Sequence, residues 1–190
     1  MKPLLEIVKL NQTRYGLDFN GPKAIEKLHE EIIEELAPAI LVNDVEEIVD
    51  ALADTVVISV GELTKLGVKP RDLPTRITRE LSVEQSTLEK LTDKLDQLKE
   101  AILITDNQTV ITNLLHDISL IAAEGLLELK YQPILVLKQV VKCIQSRVQD
   151  PIQAQAWASG NRQPGEKWKK MANQDPSTLY EADFSTCKFK

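Results

Sequence analysis

The run "EIVDALADTVVISVGEL", residues 47–63, is apolar at most positions yet carries Glu47, Asp50 and Asp54 in its first half. At ~100° per residue these three acids fall within an arc of ~60°. Ile48, Val49, Ala51, Leu52, Ala53, Val56, Val57 and Ile58 fill the remaining directions. A helix apolar nearly all round is a buried helix. Three carboxylates on one narrow face of such a helix repel each other, and desolvating each costs several kcal/mol, roughly. No lysine precedes Lys65 on this helix to neutralise them. A divalent cation is the alternative, and hard oxygen ligands select Mg²⁺ or Mn²⁺ over zinc.

Upstream, "HEEIIEEL" (29–36) sets four glutamates around two isoleucines. Ile25, Leu28, Ile32 and Leu36 form the apolar stripe of that helix. Glu31 and Glu34 lie beside the stripe, Glu30 is further round, and Glu35 sits close to the stripe itself. The connection to Glu47 is short, so the two helices should pack antiparallel. Glu31 and Glu34 would then face Glu47 and Asp50. Alone, "HEEIIEEL" reads as a wet helix face; the buried acids of the second helix give it a partner.

The rest of the chain reads as helix. A segment over about 4–12 precedes the turn-rich "YGLDFNGP", and Asn20 or Gly21 caps a helix with Pro22 in its first turn. "AP" near 38 and "ND" at 43–44 break that helix, Asp44 caps the next, and Gly67 and Pro70 stop it near Leu66. Further helices are predicted near 71–80, 83–102, 107–130 and 134–148. Strand alternation is absent. The fold class is therefore all-α, a bundle over 1–150, with an irregular tail over 151–190. The tail carries Trp157, Trp168, Tyr180, Phe184 and Phe189, and six basic against four acidic residues. It suits a lid.

A shift of 63 residues aligns the chain with itself without a gap. "EKL" at 26–28 meets "EKL" at 89–91, Asp54 meets Asp117, Leu66 meets Leu129 and Pro70 meets Pro133. The acids do not survive: Glu31 meets Lys94, Glu34 meets Gln97, Glu47 meets Val110 and Asp50 meets Asn113. The pattern predicts a duplicated hairpin. Residues 22–66 would keep a carboxylate site, and 85–129 would be its degenerate copy.

A glutamate pair three apart, a short gap, then glutamate and aspartate three apart resembles the all-α nucleoside triphosphate pyrophosphohydrolases. These are the MazG-like enzymes, with dimeric dUTPases and phosphoribosyl-ATP pyrophosphohydrolases as relatives. "EEIIEE" resembles their first motif and "EIVDALADTVVISVGEL" the second, over residues 22–66. The resemblance implies Mg²⁺-dependent cleavage of a nucleoside triphosphate to the monophosphate and pyrophosphate, in nucleotide-pool cleansing or nucleotide metabolism. By motif position Glu31, Glu34, Glu47 and Asp50 would be metal ligands, with Glu30 a further ligand or a water-orienting group.

That chemistry is consistent with the residues. A triphosphate approaches a carboxylate cluster only with cations between them. Glu30 or Glu35 could align a water for attack on the α-phosphorus. Arg14, with Lys9, and Lys167, Lys169 and Lys170 in "GEKWKKM" could meet the outer phosphates, and Asp54 is a further substrate-side group. Asn11 and Gln12, with Tyr15 and Phe19, lie in the region that helps form the base site in the relatives.

Other readings remain. Glu26 and His29 make one "ExxH", whereas di-iron four-helix proteins need two. On an ideal helix they point away from Glu31 and Glu34, and at the matching distance from His116 stands Asn113. A non-catalytic helical adaptor would scatter its acids over exposed faces. The net charge of −6 argues against a nucleic-acid partner. Two cysteines, Cys143 and Cys187, give neither a disulfide framework nor a zinc spacing, and suit a reducing cytoplasm. No segment reads as a signal peptide or approaches the ~20 apolar residues of a membrane span. Hairpins of this kind leave apolar faces uncovered, so a homodimer or higher homo-oligomer is expected.

Overall fold

The computed structural model describes residues 2–14, 18–76, 86–146, 177 and 179–189. Its described core is helical. Helix α1 is Lys2–Arg14, α2 Gly21–His29, α3 Ala37–Val42, α4 Val45–Lys65, α5 Thr87–Glu100, α6 Gln108–Glu128 and α7 Pro133–Ser146. A π-helical turn, Glu30–Leu36, joins α2 to α3, and a second, Ala101–Thr105, ends α5. Among the described residues the β pairing is one isolated antiparallel bridge, Tyr131 to Lys188.

Local chemistry sets the helix ends. Asn20 Oδ1 accepts from Lys23 N at 3.1 Å and Asp44 Oδ1 from Glu47 N at 3.2 Å. Ser86 and Glu89 form a reciprocal capping box, and Asn107 Oδ1 accepts from the Thr109 and Val110 amides. Pro38 does not break the chain as the sequence suggests. It falls in the first turn of α3, just after the π turn, where the missing amide and bulky ring are tolerated. The predicted helix at 71–80 is also corrected. Residues 71–76 are not helical, with Leu73 buried among the core residues, and 77–80 lie outside the described residues. Pro70 and Pro74 each push the preceding residue away from helical backbone.

The duplication is visible in the backbone. Helices α4 and α6 have the same length, 21 residues, and are offset by 63 at both ends. Asn43 and Asp106, at matching positions, both take left-handed backbone with φ of 56° and 46°. Gly67 and Lys130, also matched, do so at 72° and 65°. Each helix closes with the same pair of turns: Gly67 N to Thr64 O and Val68 N to Leu63 O, against Lys130 N to Leu127 O and Tyr131 N to Leu126 O. Leu52 lies against Gly125, where an added Cβ would come within 3.2 Å of Leu52 Cδ1 and 2.8 Å of Thr87 Cγ2. Early α4 therefore meets late α6. The two central helices pack directly against each other.

One difference is hidden by the gap-free alignment. Buried Leu28 and Ile32 match buried Leu91 and Leu95 at 63 residues, but Leu36 and Ala39 match Leu98 and Ala101 at 62. The π turn of the first hairpin inserts one residue into its stripe, and that of the second restores the count by Asp106.

By length and mean hydropathy α6 could cross a membrane, contrary to the sequence expectation, but 61% of its most apolar window is buried inside the bundle. It is a central core helix. Helix α7 lies against α1 and α4. The end of the tail closes on α7: Phe184 and Cys187 are buried, Tyr180 N donates to Ser146 Oγ at 2.9 Å, and the Lys142 ammonium stands 3.7 Å from the Tyr180 ring centre.

Candidate active site

Glu31 lies at the start of the π turn, against α4. Its Oε2 is buried and has no hydrogen-bond partner. Burial, then the charge of Asp54, then that of Glu35 and its hydrogen bond, and last Glu30, push the Glu31 carboxyl up to about 10. A group that should ionise near 4.5 therefore holds its proton at neutral pH. The cluster is carboxylates from two elements acting on one buried carboxyl.

The membership is not what ideal helical spacing suggests. Glu34 is turned outward, with a side chain 65% exposed and its Oε1 3.4 Å from His29 Nδ1. His29 thus faces Glu34 rather than away from it. Glu47 is exposed at the start of α4, and neither it nor Glu34 is among the charges acting on Glu31. Asp50 is half-buried one turn before Asp54, on the same face of α4. The π turn is the physical reason: with i to i+5 bonding, the side chain returning to the face of Glu31 is Glu35 rather than Glu34. Asp54, read from sequence as a substrate-side group, is instead the strongest charged neighbour of Glu31.

Among the described residues, no three His, Cys, Asp or Glu side chains are drawn together closely enough to hold a metal ion in this arrangement. The donor chemistry nevertheless fits one: Glu31 Oε2 is a buried carboxylate oxygen without a hydrogen-bond partner, and further carboxylates act on it.

A second buried acid was missed in the sequence. Glu62, 2% exposed near the end of α4, has Lys65 Nζ at 2.7 Å and Lys27 Nζ at 3.6 Å on Oε1. Lys27 stands one turn before Glu31 on the same rod. The signal was available in the i, i+3 spacing of Glu62 and Lys65 on an otherwise buried helix. Of the other expected residues, Asn11, Gln12 and Arg14 fall on α1, and nothing is described of their side chains. Tyr15, Lys167, Lys169 and Lys170 lie outside the described residues, and Phe19 packs half-buried against the core.

The second hairpin supplies the contrast. Lys94 and Asp117, the equivalents of Glu31 and Asp54, form an ion pair at 3.2 Å. Where the first hairpin sets acid against acid, the second provides its own cation.

Comparison with known proteins adds one finding. Residues 11–81 match the family model described as phosphoribosyl-ATP pyrophosphohydrolase. No curated protein and no solved structure gives a significant match. The matched segment contains the carboxylate hairpin and stops before the second copy, and it brings pyrophosphohydrolase chemistry of the MazG-like kind. Over residues 11–81 the chain is thus similar to a family within the MazG-like all-α nucleoside triphosphate pyrophosphohydrolase superfamily.

Proposed function

We propose that the chain hydrolyses a nucleoside triphosphate to the monophosphate and pyrophosphate, with Mg²⁺ or Mn²⁺, in nucleotide-pool cleansing or nucleotide metabolism. The observation that carries this reading is Glu31, buried with an orphaned oxygen and charged neighbours of its own sign. Glu31, Glu35, Asp50 and Asp54 would hold the cation, while Glu34 and Glu47 form the outer rim. When bound, Mg²⁺ offsets the charge of the phosphate oxygens and lowers the pKa of its water. Glu30, on the same turn, would accept a proton from a water attacking the α-phosphorus. The carboxylates exclude a bare triphosphate, so substrate selection includes the requirement that it arrive with cations. Lys27, one turn before Glu31, adds positive charge for the outer phosphates, the role first sought in Arg14 and the tail lysines. The matched family's name specifies a substituted adenine nucleotide, which shares with this reading an α–β anhydride as the bond cleaved. The acids lie at a helix–helix interface, an arrangement that favours catalysis over an adaptor role. A homodimer in the cytoplasm, acting without nucleic acid or membrane, completes the proposal.

The test is a panel of nucleoside triphosphates with separate detection of pyrophosphate and orthophosphate. Pyrophosphate and monophosphate are expected, with activity lost in EDTA and restored by Mg²⁺. Orthophosphate from the γ position, or full activity in EDTA, contradicts the proposal.

A further inference from the structure

Glu62 is the most deeply buried acid of α4, and the hydrolysis above gives it no role. Its Oε1 takes two ammoniums: Lys65 Nζ at 2.7 Å, from the next turn of α4, and Lys27 Nζ at 3.6 Å, from α2. Its Oε2 is buried and has no hydrogen-bond partner. Replacing a buried ion pair by apolar residues is often neutral or stabilising, so stability alone does not account for this group. The second hairpin points the same way. At the offset of 63, Glu62 meets Gly125, and Lys65 meets Glu128, which accepts from Thr87 Oγ1 at 2.8 Å. The same helix closes there without a buried acid. The Glu62 group belongs to the hairpin that keeps acids around Glu31.

Lys27 connects the group to those acids. It stands four residues before Glu31, a spacing at which lysine and glutamate on one helix pair. Yet the charges acting on Glu31 are those of Asp54, Glu35 and Glu30, all acids, and Glu31 Oε2 has no hydrogen-bond partner. The Lys27 ammonium lies on Glu62 instead. Lys65 is too far along α4 to reach the same acids, about 16 Å of helix rise beyond Asp54. An ammonium on Glu31 would occupy that carboxylate as Lys94 occupies Asp117 in the second hairpin. A divalent cation would then have to displace it.

We propose that Glu62 is a positioning residue for the metal site: by holding Lys27 on α4, it keeps that ammonium off Glu31 and leaves the carboxylate to the divalent cation. The inference rests on the cation site of the proposed hydrolase. It agrees with the place given to Lys27 beside the outer phosphates, one turn from the metal.

The experiment measures Mg²⁺ binding to the full metal-free chain by calorimetry, without nucleotide. Glu62→Gln removes the charge that holds Lys27. It also leaves Lys65 buried beside a neutral amide, so Glu62→Met combined with Lys65→Met is the companion variant, in which no buried charge is stranded. Each should bind Mg²⁺ about tenfold more weakly, because Lys27 turns to Glu31. Adding Lys27→Gln to either should restore affinity to within about twofold of wild type, a coupling that a merely structural role would not produce. Backbone amide spectra confirm the fold of each variant. Wild-type affinity in both charge-removed variants overturns the proposal. So does a loss that Lys27→Gln does not restore. A wild type that takes up no Mg²⁺ is a different failure: it removes the proposed metal site, and this inference with it.

Discussion

The two hairpins share a backbone and differ in where their positive charge comes from. In the first, Glu31 faces Asp54 with its oxygen orphaned; in the second, Lys94 sits on Asp117 at 3.2 Å. The same helix pair, with the same 21-residue central helix and the same left-handed closures, tolerates both solutions. The fold therefore does not need the acid cluster. Keeping it is a cost to stability, of the kind found where function opposes packing. The second hairpin shows what the site looks like once that cost is removed.

The largest expected effect comes from removing charge in the first hairpin alone. Glu31→Gln and Asp54→Asn should each lower kcat about a thousandfold or more, roughly 4 kcal/mol of barrier. Steady-state kinetics with saturating Mg²⁺ decide this. Equal loss in Glu34→Gln would restore the spacing read from sequence and remove the role given to the π turn.

Next comes pH. The Glu31 carboxyl is raised to about 10 in the folded chain, against 4.5 ordinarily. The folded state thus binds the extra proton between those values, and its stability falls as pH rises through that window. Thermal melts of the metal-free protein should show Tm decreasing from pH 5 to pH 9, and Glu31→Gln should flatten the decline. A decline of the same slope in Glu31→Gln would place its origin elsewhere.

The smallest effect belongs to the second copy. Val110, the equivalent of Glu47, is 42% exposed rather than buried. Val110→Ala should change stability by less than about 0.5 kcal/mol and leave kcat unaltered. Loss of turnover in this folded variant would mean that the second hairpin shares the chemistry.

Much of this was legible in the sequence, because caps, stops and apolar stripes are local. Asp44, Gly67 and the offset of 63 pointed to the hairpins and their duplication. The rest was not legible. Ideal helical spacing carries no sign of a π turn, so Glu34 was set beside Glu31 where the structure puts Glu35. The gap-free repeat concealed the slip, since each hairpin inserts one residue at a different point. The pairing of Glu31 with Asp54 needed the crossing of α4 over the π turn, a tertiary fact. The failure at 71–76 came from placing a helix across Pro74.

On the proposed function, the first hairpin takes up a divalent cation where the second carries Lys94. Glu31→Lys builds the second solution into the first, and its melting temperature with and without Mg²⁺ is the most direct test. The wild type should gain Tm on adding Mg²⁺ by mass action on the folded state. Glu31→Lys should melt higher than wild type in EDTA at pH 8 and gain nothing from Mg²⁺. A variant less stable than wild type in EDTA, or one that still responds to Mg²⁺ as the wild type does, would contradict the account.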